Sequence, residues 1–153
     1  MSLLAKWTWS RPLRAIEEAL DAAGVGPSAG PLAVIDALEA AQLLALRRPL
    51  VALGADLRAR SARRIRGRAL RAAGTALPLA DGALAALVGT GAADVETLAA
   101  WSRTVRQGGV LVLVDRVAPE EHTRRALCAG LVDLEQRTAG RHVVTSGRVR
   151  RFE

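Results

Sequence analysis

The chain has 153 residues, half of them hydrophobic and 24% charged, the size and apolar content of one globular domain. Its single cysteine, Cys128, excludes a disulfide scaffold, and apolar residues spread along the whole length exclude a disordered chain. The net charge is +7, and residues 72–93, the longest low-charge stretch, are too broken by Pro78, Asp81 and four glycines to form a membrane span.

In chain order, MSLLAKWTWSRP lacks the apolar run of a secretory signal, so a cytoplasmic location is expected. Pro12 opens an apolar periodicity of Leu13, Ile16, Leu20 and Ala23 that ends at Gly24 and Gly26, predicting a first helix with a proline entry. Upstream, Trp7 and Trp9 alternate about Thr8 and are expected on one side of an extended arm, as a packing anchor or as a partner contact. Leu32 to Ile35 predicts a buried strand and residues 37–47 a helix. Leu50 to Leu53 repeats the strand, Leu57 to Arg66 the helix, and Gly67 to Ala73 a weaker strand.

Leu84 to Val88 is a fourth apolar run. Asp94 to Arg106 predicts a helix with Val95, Leu98, Trp101 and Val105 along one stripe. Gly108 and Gly109 turn the chain into Val110 to Val114, the strongest strand. Pro119 opens a helix through about Cys128. Leu131 to Arg137 and His142 to Phe152, joined by Thr138, Ala139 and Gly140, predict an antiparallel hairpin at one sheet edge. Strands alternating with helices predict an α/β fold, a mostly parallel sheet with helices on both faces, because a parallel crossover needs a helix-length connection.

The charge is segregated. Residues 57–71 hold seven arginines, among them Arg58, Arg60, Arg63, Arg64 and Arg66, and residues 137–151 hold five, among them Arg148, Arg150 and Arg151, with no acid in either stretch. The remaining ten basic residues face all 15 acids, so the rest of the chain carries −5. A solvated helix face is the plain reading of such a cluster; a surface for nucleic acid or an acidic protein is the functional one.

From Ala76 the segment ALPLADG, an apolar strand, a helix, Val105-Arg106-Gln107-Gly108-Gly109 and the strand Val110 to Asp115 resemble the second half of a class I S-adenosylmethionine-dependent methyltransferase, of the type 11-like kind. That family carries a similar "LPFADGSFD" segment and a helix ending in "RPGG". The resemblance extends over about residues 30–152. It implies a Rossmann-like seven-stranded sheet with an antiparallel C-terminal hairpin, in a domain of residues 31–153 preceded by an N-terminal arm and helix of residues 1–30.

The cofactor half departs from that pattern. The family's first strand leads into a glycine-rich loop, because only glycine lets the backbone approach the cofactor and turn sharply, whereas Asp36 runs into Ala37 to Gln42 with no glycine. Asp36 and Glu39 have the spacing of a capping box. Asp56 follows the second strand, where the resemblance gives an acid that holds the ribose; a helix cap is its plain alternative. Thr75 stands where the family has an Asp near the adenine, and Ala83 to Ala85 replace the family's "SFD". His122 is expected to be an exposed helix histidine beside Glu120 and Glu121, His142 likewise exposed, and Cys128 a small core residue with no metal-ligand partners.

These residues predict a methyltransferase-like pseudoenzyme without cofactor or metal, serving as a binding or assembly module for a protein partner or a second copy. Its interaction surface would comprise Trp7, Trp9 and the arginines of the two clusters. One alternative is an active S-adenosylmethionine-dependent methyltransferase in which Asp36, Asp56, Thr75 and Asp81 form an atypical cofactor site. Another is a basic nucleic-acid-associated protein.

Overall fold

The computed structural model describes residues 3–26, 28–36, 41, 44, 48–54, 67–71, 77–90 and 93–151. The strands are β1 (Leu32–Ile35), β2 (Leu50–Gly54), β3 (Gly67–Arg71), β4 (Leu84–Thr90), β5 (Val105–Asp115), β6 (Leu131–Ala139) and β7 (His142–Val149). They form one mixed sheet in the order β3-β2-β1-β4-β5-β7-β6. Pairing is parallel from β3 through β5, and β7 enters antiparallel between β5 and β6. The expected α/β arrangement, a mostly parallel sheet with an antiparallel hairpin, is what the chain adopts. The described helices are α1 (Leu3–Ala22), α2 (Val95–Thr104) and α3 (Pro119–Cys128).

Strand alternation builds two cores, because successive side chains leave opposite faces of a sheet. Leu32, Val34, Ala86, Val88, Val110 and Val112 meet Ile16, Ala19 and Leu20 of α1 on one face. Ala33, Ile35, Leu87, Leu111 and Leu113 meet Leu98 and Trp101 of α2 and Ala126 of α3 on the other. Among the described residues no helix is long and apolar enough to cross a membrane.

Three expectations need correction. First, α1 begins at Leu3 and carries Pro12 in its interior, so Trp7 and Trp9 lie on a helix, not on an extended arm; proline removes one N–H there but does not end the helix. Second, α2 ends at Thr104, earlier than Arg106, because Val105 already pairs with Leu84 in the sheet. Third, Ala139 pairs with His142, so the hairpin turn is Gly140-Arg141, with Gly140 at φ 65, as a two-residue turn with left-handed glycine in first place requires. The helix expected over 37–47 falls largely, and the one over 57–66 wholly, outside the described residues.

Close approach explains several glycines. Leu84 faces Val105 but Ala86 faces Val110, so residues 106–109 bulge out of β5. Gly108 takes φ 77 there, and a Cβ on Gly109 would lie 2.7 Å from the Ala85 carbonyl oxygen. A second bulge interrupts β6 between Val132 and Glu135, with Asp133 at φ 52. Gly89 lies under the Trp101 ring, in space a Cβ would occupy. Gly89→Ala should therefore overpack the α2 face and cost about 1–3 kcal/mol, read as a lowered denaturation midpoint at unchanged m-value.

Arg48 fastens the C-terminal half of α1. Only 4% exposed, it donates to the Val25 carbonyl at 2.6 Å, to Glu17 Oε2 at 3.3 Å and to Asp21 Oδ1 at 2.9 Å. Truncation strands a buried carbonyl and two carboxylates, of which Asp21 is largely solvated. Arg48→Ala is expected to destabilise by about 2–3 kcal/mol in chemical denaturation. Arg48→Lys should recover little of the loss, because an ammonium cannot reach all three acceptors.

Candidate functional site

In an open α/β sheet, ligands bind beyond the carboxyl ends of the parallel strands, at the point where strand order reverses. Here that point lies between β1 and β4. The chain leaves β1 at Asp36, whose N–H donates to the Leu53 carbonyl at 2.9 Å and whose φ is 55. A left-handed residue directly after β1 is a position suited to glycine, and Asp is among the few side chains that tolerate it. The helix start that Asp36 and Glu39 are expected to cap lies outside the described residues, as do Glu39, Asp56 and Thr75.

Asp81 does not join this crevice. It sits exposed in the turn before β4, where the Gly82 N–H donates to the Arg103 carbonyl at 2.8 Å. Parallel strands send all their carboxyl ends to one edge, so a residue preceding β4 falls on the opposite edge. The atypical cofactor site drawn from Asp36, Asp56, Thr75 and Asp81 therefore loses Asp81.

The other half of the carboxyl edge holds a concavity. An open cavity of about 540 Å³ lies between α1, the end of β5 and the hairpin turn, lined by Ser10, Arg11, Arg116, Gly140, Arg141 and His142 among others. The His142 ring lies 5.4 Å from that of Trp9, so Trp9 packs inward as an anchor. His142 is 9% exposed, which corrects its expected exposure; burial first, and then the positive charge of Arg116, push its pKa below 6.5 against the opposing pull of Asp115.

His122 is likewise corrected. It is 3% exposed, because His122 and Ala126, four residues apart, share the buried face of α3. His122 Nδ1 and Thr145 Oγ1 share a hydrogen bond of 2.9 Å, and the Gln136 amide donates both to Thr145 Oγ1 at 3.1 Å and to the Pro119 carbonyl at 2.8 Å. Beside them Asp115 accepts the Arg116 N–H through Oδ1 at 2.6 Å, while its Oδ2 is buried without a partner. Cys128 is exposed at the end of α3, not a core residue, and the described residues contain no group of metal-ligating side chains.

The arginines divide. Arg148 donates to the Gly108 carbonyl at 2.9 Å and the Ala23 carbonyl at 3.1 Å. Arg151 closes the C-terminus of α2, donating to the Arg103 carbonyl at 2.6 Å and the Val105 carbonyl at 3.0 Å. Both therefore leave the expected interaction surface, because their guanidiniums satisfy carbonyls that the helix and the bulge leave open. Arg150 is exposed. Arg58, Arg60, Arg63, Arg64 and Arg66 lie outside the described residues. On α3, Glu121 is drawn down to about 2 by hydrogen bonds from Arg124 and then Arg125.

No family model matches the sequence, and no curated protein does. Solved structures match closely in shape. A chain from the complex of the Haloferax volcanii Trm112 methyltransferase activator with a candidate methyltransferase aligns over 96% of this chain and 94% of its own, at TM-score 0.74 and 14% identity. A Thermotoga maritima S-adenosylmethionine-dependent methyltransferase aligns over 97% and 96%, at 0.68 and 15%, and a candidate one from Methanococcus maripaludis over 94% and 86%, at 0.69 and 13%. At such identities the likeness is one of fold: the chain has the class I S-adenosylmethionine-dependent methyltransferase fold.

Burial of His122 and His142 has a consequence in solution. Both pKa values lie below the ordinary 6.5, so below that value the unfolded chain takes up protons that the folded chain refuses. The contribution of these two groups to stability is fully present above about pH 6.5 and is lost as the pH drops towards the folded-state values. His122→Gln should flatten the fall of the thermal midpoint between about pH 7.5 and 5.5, and adding His142→Gln should flatten it further. An unchanged slope in the double variant would assign the dependence to other groups.

Proposed function

We propose that the chain is a non-catalytic methyltransferase-like protein, a binding or assembly module working through protein contacts. The observation that carries this reading is the exit of β1. A backbone turn suited to glycine is made by Asp36 at φ 55, and residues 37–42 contain no glycine to let a cofactor approach the main chain. The residues present thus do not fit the cradle that the fold family uses for S-adenosylmethionine. A protein partner is the natural occupant of such a scaffold, since one solved neighbour is a complex with a methyltransferase activator.

The second reading is an S-adenosylmethionine-dependent methyltransferase with an atypical site, supported by the S-adenosylmethionine dependence of a neighbour that aligns over nearly the whole chain. In it, Asp36 at the end of β1 and Asp56 beyond β2 would contact the cofactor, and Asp81 would not. Calorimetric titration with S-adenosylhomocysteine separates the two. The module reading expects no binding tighter than about 100 μM, near −5.5 kcal/mol; tighter binding that Asp36→Ala weakens would replace it with the enzyme.

A further inference from the structure

We propose that the cavity between α1, the end of β5 and the β6–β7 turn is a binding site for a small phosphate-bearing anion, held by Arg11, Arg116 and Arg141. The three arginines come from three separate elements and line one concavity of about 540 Å³, within the size range of small-molecule sites, roughly 300–1000 Å³. No acidic side chain lines it. Asp115, next to Arg116 in the chain, turns one oxygen onto the backbone N–H of Arg116 and leaves the other buried.

Elsewhere the described arginines are mostly occupied. Arg48, Arg124, Arg125 and Arg137 pair with carboxylates, while Arg148 and Arg151 bond backbone carbonyls. Arg11, Arg116 and Arg141 have no such partner among the described residues and are all exposed. Clustering unpaired guanidiniums is unfavourable unless an anion offsets their repulsion. The surroundings supply order: Gly140 fixes the turn that carries Arg141, Arg116 directly follows the longest strand, and Arg11 rides on α1, whose Trp9 is seated on His142.

The chemistry favours phosphate over carboxylate. A phosphoryl group offers three terminal oxygens and close to two charges, enough for three guanidinium forks, whereas a carboxylate offers two oxygens and one charge. The shape favours a small molecule over a polynucleotide, which needs a basic stripe and not a single concavity. The site is independent of the cofactor question, since it lies beyond β5 and not at the exit of β1.

The test uses the intact chain with inorganic pyrophosphate and adenosine monophosphate as probes, followed by calorimetry and by tryptophan fluorescence, because Trp9 adjoins the cavity wall. At low salt, at least one probe should bind with a Kd below about 1 mM, Arg116→Gln and Arg141→Gln should each weaken it about tenfold or more, and Arg150→Gln should leave it within about twofold. These arginines are exposed and make no internal bond, so thermal melts should match the parent. Absence of binding by both probes overturns the site, as does an equal loss in Arg150→Gln, which would mean diffuse charge. Citrate binding as tightly as pyrophosphate overturns the phosphate assignment, and tight binding of single-stranded oligonucleotide with neither small probe replaces the small molecule with nucleic acid.

Discussion

β7 runs backwards between two strands that run forwards, and its six-residue register with β5, from Val110 opposite Arg148 to Asp115 opposite Val143, decides where everything on the carboxyl edge sits. That register brings the Gly140-Arg141 turn beside Arg116, and seats His142 against Trp9. Inside the sheet it presents Thr145 to His122. At the other end of β7 it delivers Arg148 to the Gly108 bulge and Arg151 to the end of α2. A slip of one residue would turn every β7 side chain to the opposite face, dissolving the polar cluster and the arginine-lined cavity together.

Two modes of cohesion follow from this arrangement. The inner parallel strands are held by dry apolar packing on both faces, with Ala33, Ala85, Leu87 and Val112 fully excluded from water. Around them, guanidiniums act as tethers that reach carbonyls many residues away in sequence: Arg48 to Val25, Arg106 to Ala29 at 3.2 Å, Arg148 to Ala23. All three fasten the region where α1 gives way to β1. With only one lysine, the chain uses the residue whose planar fork can satisfy several carbonyls at once.

Much of the architecture is legible in the sequence where a segment's own pattern decides its state. Leu32 to Ile35 and Val110 to Val114 can only be buried strands, and Pro119 to Cys128 carries its own helix start. What is not legible depends on partners distant in the chain. The acids and arginines around His122 suggest exposure, yet its spacing to Ala126 was the available signal that it faces the sheet. Pro12 reads as a helix start because proline is favoured there, and nothing local tells that the helix began at Leu3. Arg148 and Arg151 read as surface charge until the fold supplies carbonyls for them. Of the candidate site, the missing glycine loop is plain from residues 37–42, whereas the gathering of Arg11, Arg116 and Arg141 is a product of topology alone.

The bulge at Asp133 bears on how copies of this chain could meet. β6 is the last strand on its side of the sheet, and an outer strand with free N–H and C=O groups ordinarily invites another chain to extend it. Here the left-handed Asp133 breaks the row of backbone groups midway, and exposed Asp133 and Glu135, with partly buried Arg137, set charge along the remainder. Strand addition along β6 is thereby discouraged. An assembly on this side of the sheet would form through side chains on neighbouring helices and turns, not by prolonging the sheet past β6.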